Sequence, residues 1–312
     1  MDQHILVGID GGGTKTRVLA RRSDNSRILF DRQFPGSNYH SIGKTGLTSV
    51  LAEIVSALTI AFGPALDRSV FVLGMAGIDR PQDAASYESV LSEIGCPGKQ
   101  VVCNDADIAL VGAHGGSPGA LLLCGTGSIA IGRTADHRVI RSGGWGALVS
   151  DEGSGYRLGC EAISAALRAY DRSGPSTVLQ TAVRDALKLR SLPDILDVLY
   201  LSGDGLPVRQ IASLAPLVTE NYTLDPVCHD IVTRQVSALC DLLVPIREAI
   251  GLPALDLALG GGLLLNAEPY RNAFVDTLAL RMPNVRIVPP QDDAPHGALI
   301  MAAQILEKEG AL

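Results

Sequence analysis

Positive charge is scarce in this chain: 26 Lys and Arg stand against 33 Asp and Glu, a formal net charge of −7. A nucleic-acid backbone would find no broad cationic surface, so nucleic acid is not an expected partner. An anionic ligand has to be held by local devices instead: backbone N–H groups, helix N-termini and a bound cation. Long apolar runs are also missing. No window offers the roughly 18 uninterrupted apolar residues of a membrane helix, and the run from Ala120 breaks at Gly125-Thr126-Gly127, so no membrane partner is expected. The start, Met1-Asp2-Gln3-His4, has no basic lead, and the run Ile5 to Ile9 reads as a strand rather than a secretion signal. A soluble cytoplasmic protein is the expectation. Six cysteines (Cys96, Cys103, Cys124, Cys160, Cys228 and Cys240) form no C-x-x-C pair and have no His at zinc-ligand spacing, so they read as reduced, mostly buried thiols. Tryptophan occurs once, at Trp145.

What is present is periodicity, with 312 residues to house two domains of ordinary size. Strand-like runs at His4–Asp10, Thr16–Arg22 and Arg27–Phe34, separated by Gly11-Gly12-Gly13 and by Ser23-Asp24-Asn25-Ser26, predict an antiparallel meander. Apolar residues at three- and four-residue spacing predict a helix over Gly46–Phe62. A strand (Ser69–Ala76), a helix (Pro81–Ile94), a strand (Gln100–Cys103) and a helix (Asp105–His114) follow. The second half opens in the same way, with strands Ala120–Cys124, Ser128–Thr134 and His137–Ser142. Helices then dominate Tyr156–Ile250, before strands at Ala254–Leu259 and Asn284–Val288 and a last helix, Ala294–Glu309. The repeat predicts a duplicated α/β architecture with a cleft between the copies. We expect one lobe over 1–114, joined by the C-terminal helix 294–312, and a second over 115–293, hinged at the Gly/Pro-rich stretch His114–Gly119.

Several segments can carry chemistry. Asp10-Gly11-Gly12-Gly13-Thr14-Lys15 puts an acid, three glycines and a hydroxyl at a hairpin tip, where backbone N–H groups can approach phosphate oxygens. The alternative is an ordinary hairpin. A Walker A loop is excluded, because Thr14 stands where that motif needs glycine. Gly125-Thr126-Gly127-Ser128-Ile129-Ala130 satisfies G-x-G-x-x-A, but a dinucleotide turn requires a helix next, and the sequence continues as a strand. Asn104-Asp105 sits at a strand-to-helix junction, where Asp105 is either a proton acceptor or a helix cap. Gly143-Gly144-Trp145-Gly146, followed by Asp151-Glu152, offers an accessible aromatic face and a carboxylate for a sugar, or a buried tryptophan beside a helix cap. Gly260-Gly261-Gly262 permits close approach of a flat ligand or of a packed helix. Asp292-Asp293 with His296 reads as a metal site or as the cap of the last helix, and the cap is preferred.

Taken together, Gly8 to Thr16, Gly36-Ser37-Asn38, Gly74-Met75-Ala76-Gly77, Asn104-Asp105, Gly125 to Ser128, Gly143 to Gly146 with Asp151 to Ser154, and Gly260 to Gly262 resemble the amino-sugar kinases of the N-acetylglucosamine kinase family, among the BadF/BadG-type ATPases. The resemblance runs from Ile5 to about Ala303. It implies actin-like, ribonuclease H-like ATPase lobes with an interlobe cleft, using ATP and Mg²⁺. It places Gly11–Lys15 and Gly125–Gly127 on the ATP phosphates, Asp10 near Mg²⁺ through water, and Gly260, Gly261 and Gly262 beside the adenosine. Asn38, Gly77, Asp79, Trp145 and Asp151 fall on sugar-binding positions, and Asp105 on the catalytic base. The implied reaction is phosphorylation of an amino sugar at its 6-hydroxyl, N-acetylglucosamine first and glucosamine as the alternative. A homodimer is the family expectation. Two other readings are set lower: a non-catalytic sugar sensor, and an iron–sulfur dehydratase activator, for which Cys124 has no second ligand in sequence.

Overall fold

Ile5, Val7 and Ile9 point to one side of β1 (Ile5–Gly11) and Leu6 to the other, all nearly inaccessible, so this strand must lie inside a sheet covered on both faces. The computed structural model, which describes residues 4–78, 80–200 and 207–310, places it there. β1 pairs antiparallel with β2 (Lys15–Arg22) and parallel with β4 (Ser69–Met75). β3 (Ile28–Pro35) and β5 (Lys99–Asn104) complete a five-stranded sheet of order β3-β2-β1-β4-β5. Helices α1 (Tyr39–Phe62) and α2 (Pro81–Glu93) cover the face carrying Ile5, Val7, Ile9, Phe71 and Leu73. Helix α3 (Asp105–Ala113) and the C-terminal helix Ala294–Gly310 cover the face carrying Leu6, Val70 and Val72. Strand parity thus sorts the residues of one sheet between two cores.

Two expectations need correction here. α1 starts at Tyr39, not Gly46, because the Asn38 side chain accepts the His40 N–H at 2.9 Å and caps it; Gly43 (φ 64°, ψ −178°) then kinks it and hides the first turns from a periodicity count. Moreover, Tyr39–Arg68 is long and apolar enough, by length and composition, to cross a membrane. Counting uninterrupted apolar residues missed it, since the intervening Ser, Thr and Gly cost little in an average. Its buried residues Leu47, Val50, Leu51, Ile54 and Leu58 belong to the core under the sheet.

The chain forms two compact units, Met1–Pro118 with Pro289–Leu312, and Gly119–Val288. The second has its own meander, β6 (Gly119–Cys124), β7 (Ser128–Arg133) and β8 (Val139–Gly143). Helices α4 (Gly155–Tyr170), α5 (Leu179–Ala186), α6 (Ile195–Tyr200), α7 (Val208–Ala212), α8 (Ala215–Thr219) and α9 (Pro226–Ile250) follow. β9 (Leu255–Gly260), α10 (Gly262–Asn266), α11 (Glu268–Arg281) and β10 (Val285–Ile287) close the unit. Sheet order is β10-β9-β6-β7-β8, with β6 antiparallel to β7 and parallel to β9, so the arrangement around β1 recurs around β6. Because β7, not a helix, follows Gly125–Gly127, the dinucleotide reading of that loop falls. Asp225 caps α9 through the Val227 and Cys228 N–H groups, and Gly251 ends it in the left-handed region (φ 65°, ψ 14°).

In the first unit the C-terminal helix approaches β1 and α3 more closely than side chains allow. A Cβ at Gly8 would overlap the Pro295 carbonyl oxygen, and one at Gly297 would overlap that of Ile108. Overpacking such a contact destabilises by about 1–3 kcal/mol or more. Gly297→Ala should therefore lower the unfolding free energy measured by urea titration by an amount in that range, whereas Gly310→Ala, with open space around it, should stay within about 0.5 kcal/mol of the parent.

Candidate active site

In the first unit the strand ends gather the predicted residues. β1 runs into Gly11, β4 into Met75 and β5 into Asn104, three parallel strands whose carboxyl ends open on one edge of the sheet, the edge where α/β folds bind ligands. The loop after β1 is tied at its base: Gly12 N–H donates to the Lys15 carbonyl, Ser37 N–H to that of Gly12 and Ala76 N–H to that of Gly11. The buried Thr16 hydroxyl donates to the Pro35 carbonyl at 2.8 Å and lies 2.7 Å from the Ser37 hydroxyl. Gly13, Thr14 and Lys15 form the exposed tip.

Asn104 settles the first ambiguity of the sequence. Its Oδ1 accepts the Ala106 N–H at 2.8 Å, so Asn104, not Asp105, caps α3; its Nδ2 donates to the Ile78 carbonyl at 2.6 Å. Asp105 is the first helical residue, half-buried. The Ile78 bond fastens the turn containing Gly77 (φ 87°), where a Cβ would come 3.0 Å from His40 Cδ2 and 3.2 Å from Asn38 Nδ2. Tyr87, buried, donates to the Ser37 carbonyl and accepts the Tyr39 N–H, holding the entry to α1. Asp10, Asn38, Gly77 and Asp105 are therefore neighbours in one corner; Asp79 lies outside the described residues.

Burial, and after it the charges of Asp105 and Asp293, push the Asp10 carboxyl up to about 6, against the pull of Lys15 and Arg17. Asp293 itself accepts the His296 N–H and pairs with the His296 ring and with Arg17, which is the cap expected of it. No group of three or more metal-ligating side chains occurs among the described residues.

In the second unit Gly125-Thr126-Gly127 turns between β6 and β7. Its carbonyls at Gly125 and Thr126 accept the N–H groups of Gly155 and Tyr156, the first turn of α4. Ser154 caps that helix. Asp151, buried with φ 65°, faces the same turn: its Oδ1 accepts the Ser128 N–H at 3.4 Å, and a Cβ at Gly127 would come 2.9 Å from its Oδ2. Burial, seconded by the Glu152 charge, raises its pKa despite the Ser128 bond and the charges of Arg157 and Arg141. Trp145 is 70% exposed with the Arg141 guanidinium 4.7 Å from its ring centroid, so the buried-tryptophan reading fails. Gly261 (φ 86°) lies against the backbone of Cys124, too close for any Cβ, and brings Gly262 beside Gly125. A cavity of about 400 Å³ opens there, lined by Gly125, Thr126, Gly155, Arg209, Ala212, Ser213, Ala215, Pro216, Gly262 and Leu263. Sequence reasoning missed its α7 and α8 wall, because two five-residue helices carry no periodic signal.

The profile of the BadF/BadG/BcrA/BcrD ATPase family matches residues 7–302. A Clostridium acetobutylicum protein named N-acetylmuramic acid/N-acetylglucosamine kinase is 34% identical over 305 residues, 95% of this chain and 97% of that one. A Dictyostelium discoideum protein named N-acetyl-D-glucosamine kinase is 31% identical over 316 residues, 97% of this chain and 98% of that one. The crystal structure of a Chromobacterium violaceum protein whose description names N-acetylglucosamine kinase superposes with a TM-score of 0.72 at 28% identity, covering 96% and 99% of the two chains.

The raised Asp10 pKa has a consequence for stability. Ionising this carboxyl is harder in the folded chain, so the penalty is absent at about pH 3, where both states are protonated, grows as pH rises through the unfolded value, and is complete above about pH 7. Asp10→Asn should raise the unfolding free energy by about 1–3 kcal/mol near pH 7.5 and leave it almost unchanged near pH 3. Urea titrations at the two pH values check this; a variant less stable than the parent near pH 7.5 would contradict it.

Proposed function

We propose that this chain, which belongs to the BadF/BadG/BcrA/BcrD ATPase family, transfers the γ-phosphoryl group of ATP to the 6-hydroxyl of N-acetylglucosamine. It is a sugar kinase by its near full-length similarity to the two relatives named above, and ATP use goes with the family. The observation that carries the residue assignment is Asp105 at the first position of α3, relieved of capping by Asn104 and grouped with Asn38 and Gly77 at the strand ends.

In this reading Asp105 accepts the proton of the sugar hydroxyl as its oxygen bonds to the γ-phosphorus and the bond to the ADP oxygen breaks. Asn38 and Gly77 bind the sugar in the first unit. In the second unit the turn at Gly125–Gly127 lends N–H groups to the nucleotide phosphates. The cavity between Gly262 and α7/α8 takes the adenosine, with Gly260 and Gly261 behind it.

A magnesium ion fits the carboxylate corner. Asp10 is a hard oxygen donor whose pKa is raised first by burial and then by the neighbouring charges of Asp105 and Asp293, and Mg²⁺ is commonly held by one or two carboxylates, waters and substrate phosphates rather than by a protein cage. When bound it would neutralise phosphate charge, with Asp10 holding it through water. Six free cysteines accord with a reducing, cytoplasmic setting.

An ADP-release assay with N-acetylglucosamine, N-acetylmuramic acid, glucosamine, N-acetylmannosamine and glucose should give the highest kcat/KM for N-acetylglucosamine. No release above the sugar-free blank would end this reading. Asp105→Asn should lower kcat by about 10²- to 10⁴-fold while calorimetry shows ADP binding unchanged; near-normal turnover would remove the assigned role.

A further inference from the structure

A second cavity in the second unit lies in the groove between α4 and α9, and nothing in the kinase reading uses it. α4 presents Glu161, Ser164, Ala165 and Arg168 at i, i+3, i+4 and i+7; α9 presents Val227, Asp230, Ile231 and Arg234 at the same spacing. The loop at Pro175–Ser176 closes one end, and the enclosed volume is about 540 Å³, within the range of small-molecule sites.

The charges in this groove are not equivalent. Arg234 is fully engaged: its NH1 and NH2 donate to Glu161 at 3.0 and 3.3 Å, and its Nε donates to Asp230 at 3.0 Å. Both wall carboxylates are thereby matched by one guanidinium. Arg168, at the other end of the α4 stripe, has no ion-pair or hydrogen-bond partner for its guanidinium among the described residues. Its backbone is fixed while its side chain is exposed. The Ser173 and Gly174 N–H groups both donate to the Arg168 carbonyl, and the missing side chain at Gly174 leaves room for the guanidinium stem, since a Cβ there would come 3.3 Å from Arg168 Nε. The groove therefore offers one uncompensated cation over an apolar floor of Ala165, Val227 and Ile231.

We infer that this groove is an effector site for a small organic anion, a carboxylate or phosphate monoester with an apolar body, whose head pairs with Arg168 and whose body rests on Ile231. Both walls are rooted in the nucleotide loops. The first N–H groups of α4 bond to Gly125 and Thr126, and Gln235, next to Arg234, accepts the Gly153 N–H at 2.8 Å. An occupant that pins α4 to α9 therefore changes nucleotide affinity, and the nucleotide changes the anion's affinity by the same factor.

Calorimetric titration of the full chain with phenyl phosphate and, separately, benzoate, both at saturating ADP, tests the site. Saturable binding of either one is expected; preference for phenyl phosphate marks a phosphate-ester effector and preference for benzoate a carboxylate. Arg168→Ala should weaken that binding about tenfold or more, and Ser164→Tyr, which fills the groove from an exposed helix position, should abolish it, with ADP affinity and circular dichroism of both variants unchanged in the absence of anion. No saturable binding of either probe, or binding indifferent to both substitutions, overturns the site. An ADP affinity identical with and without saturating probe overturns the coupling.

Discussion

The arrangement of the corner at the first unit's strand ends depends on the two-ended engagement of Asn104. One end of its amide accepts the Ala106 N–H and starts α3; the other donates to the Ile78 carbonyl and fixes the turn after β4. A residue that did only the first would still make a helix but would leave the Gly77 turn unanchored. Because the capping is done one residue early, the carboxylate of Asp105 enters the helix at a place where the free N–H groups of the first turn favour negative charge. Tyr87 repeats the device on the other side, joining the Ser37 carbonyl to the Tyr39 N–H. Side-chain hydrogen bonds to backbone, more than packing, decide where this corner's groups stand.

The second unit reaches a comparable result by different means. Its hairpin β6–β7 matches β1–β2 in pairing and in the parallel strand beside it, yet the turn is held from outside, by the first N–H groups of α4 and by the Asp151 carboxylate beneath Ser128. Gly153 gathers three further bonds, accepting from Cys124 Sγ at 3.3 Å and the Tyr270 hydroxyl at 2.6 Å and donating to Gln235. A duplicated sheet has thus acquired separate supports, one built from the α1 entry and the other from a helical segment inserted between β8 and β9.

Much of this was legible in the residues. Alternation in β1 and β2, the glycine turns and the three- and four-residue spacing of α1 marked the elements correctly, because those signals are local and strong. The start of α1 was not, since it depends on one cap and is followed by a kink at Gly43. Asp105 was visible as either base or cap, and only three-dimensional bonding showed that Asn104 took the second task. Arg209, Ser213 and Pro216 had no signature, because a cavity wall made from two short helices is a tertiary fact. Trp145 stood out as the lone tryptophan, but its exposure among glycines of positive φ (Gly143, Gly144 and Gly146) is something composition does not reveal.

The return of residues 289–310 to the first unit carries a consequence for biosynthesis. The face of the first sheet that bears Leu6, Val70 and Val72 is covered by Ala298, Leu299 and Ala302, which are synthesised only after the second unit. Of the two units, the first is therefore begun earlier and completed later, with an apolar surface bare while the whole of Gly119–Val288 is synthesised. The continuous second unit can close its core before that, whereas the first sheet waits on the helix Ala294–Gly310, and apolar surface left open in the interval is the kind that favours aggregation.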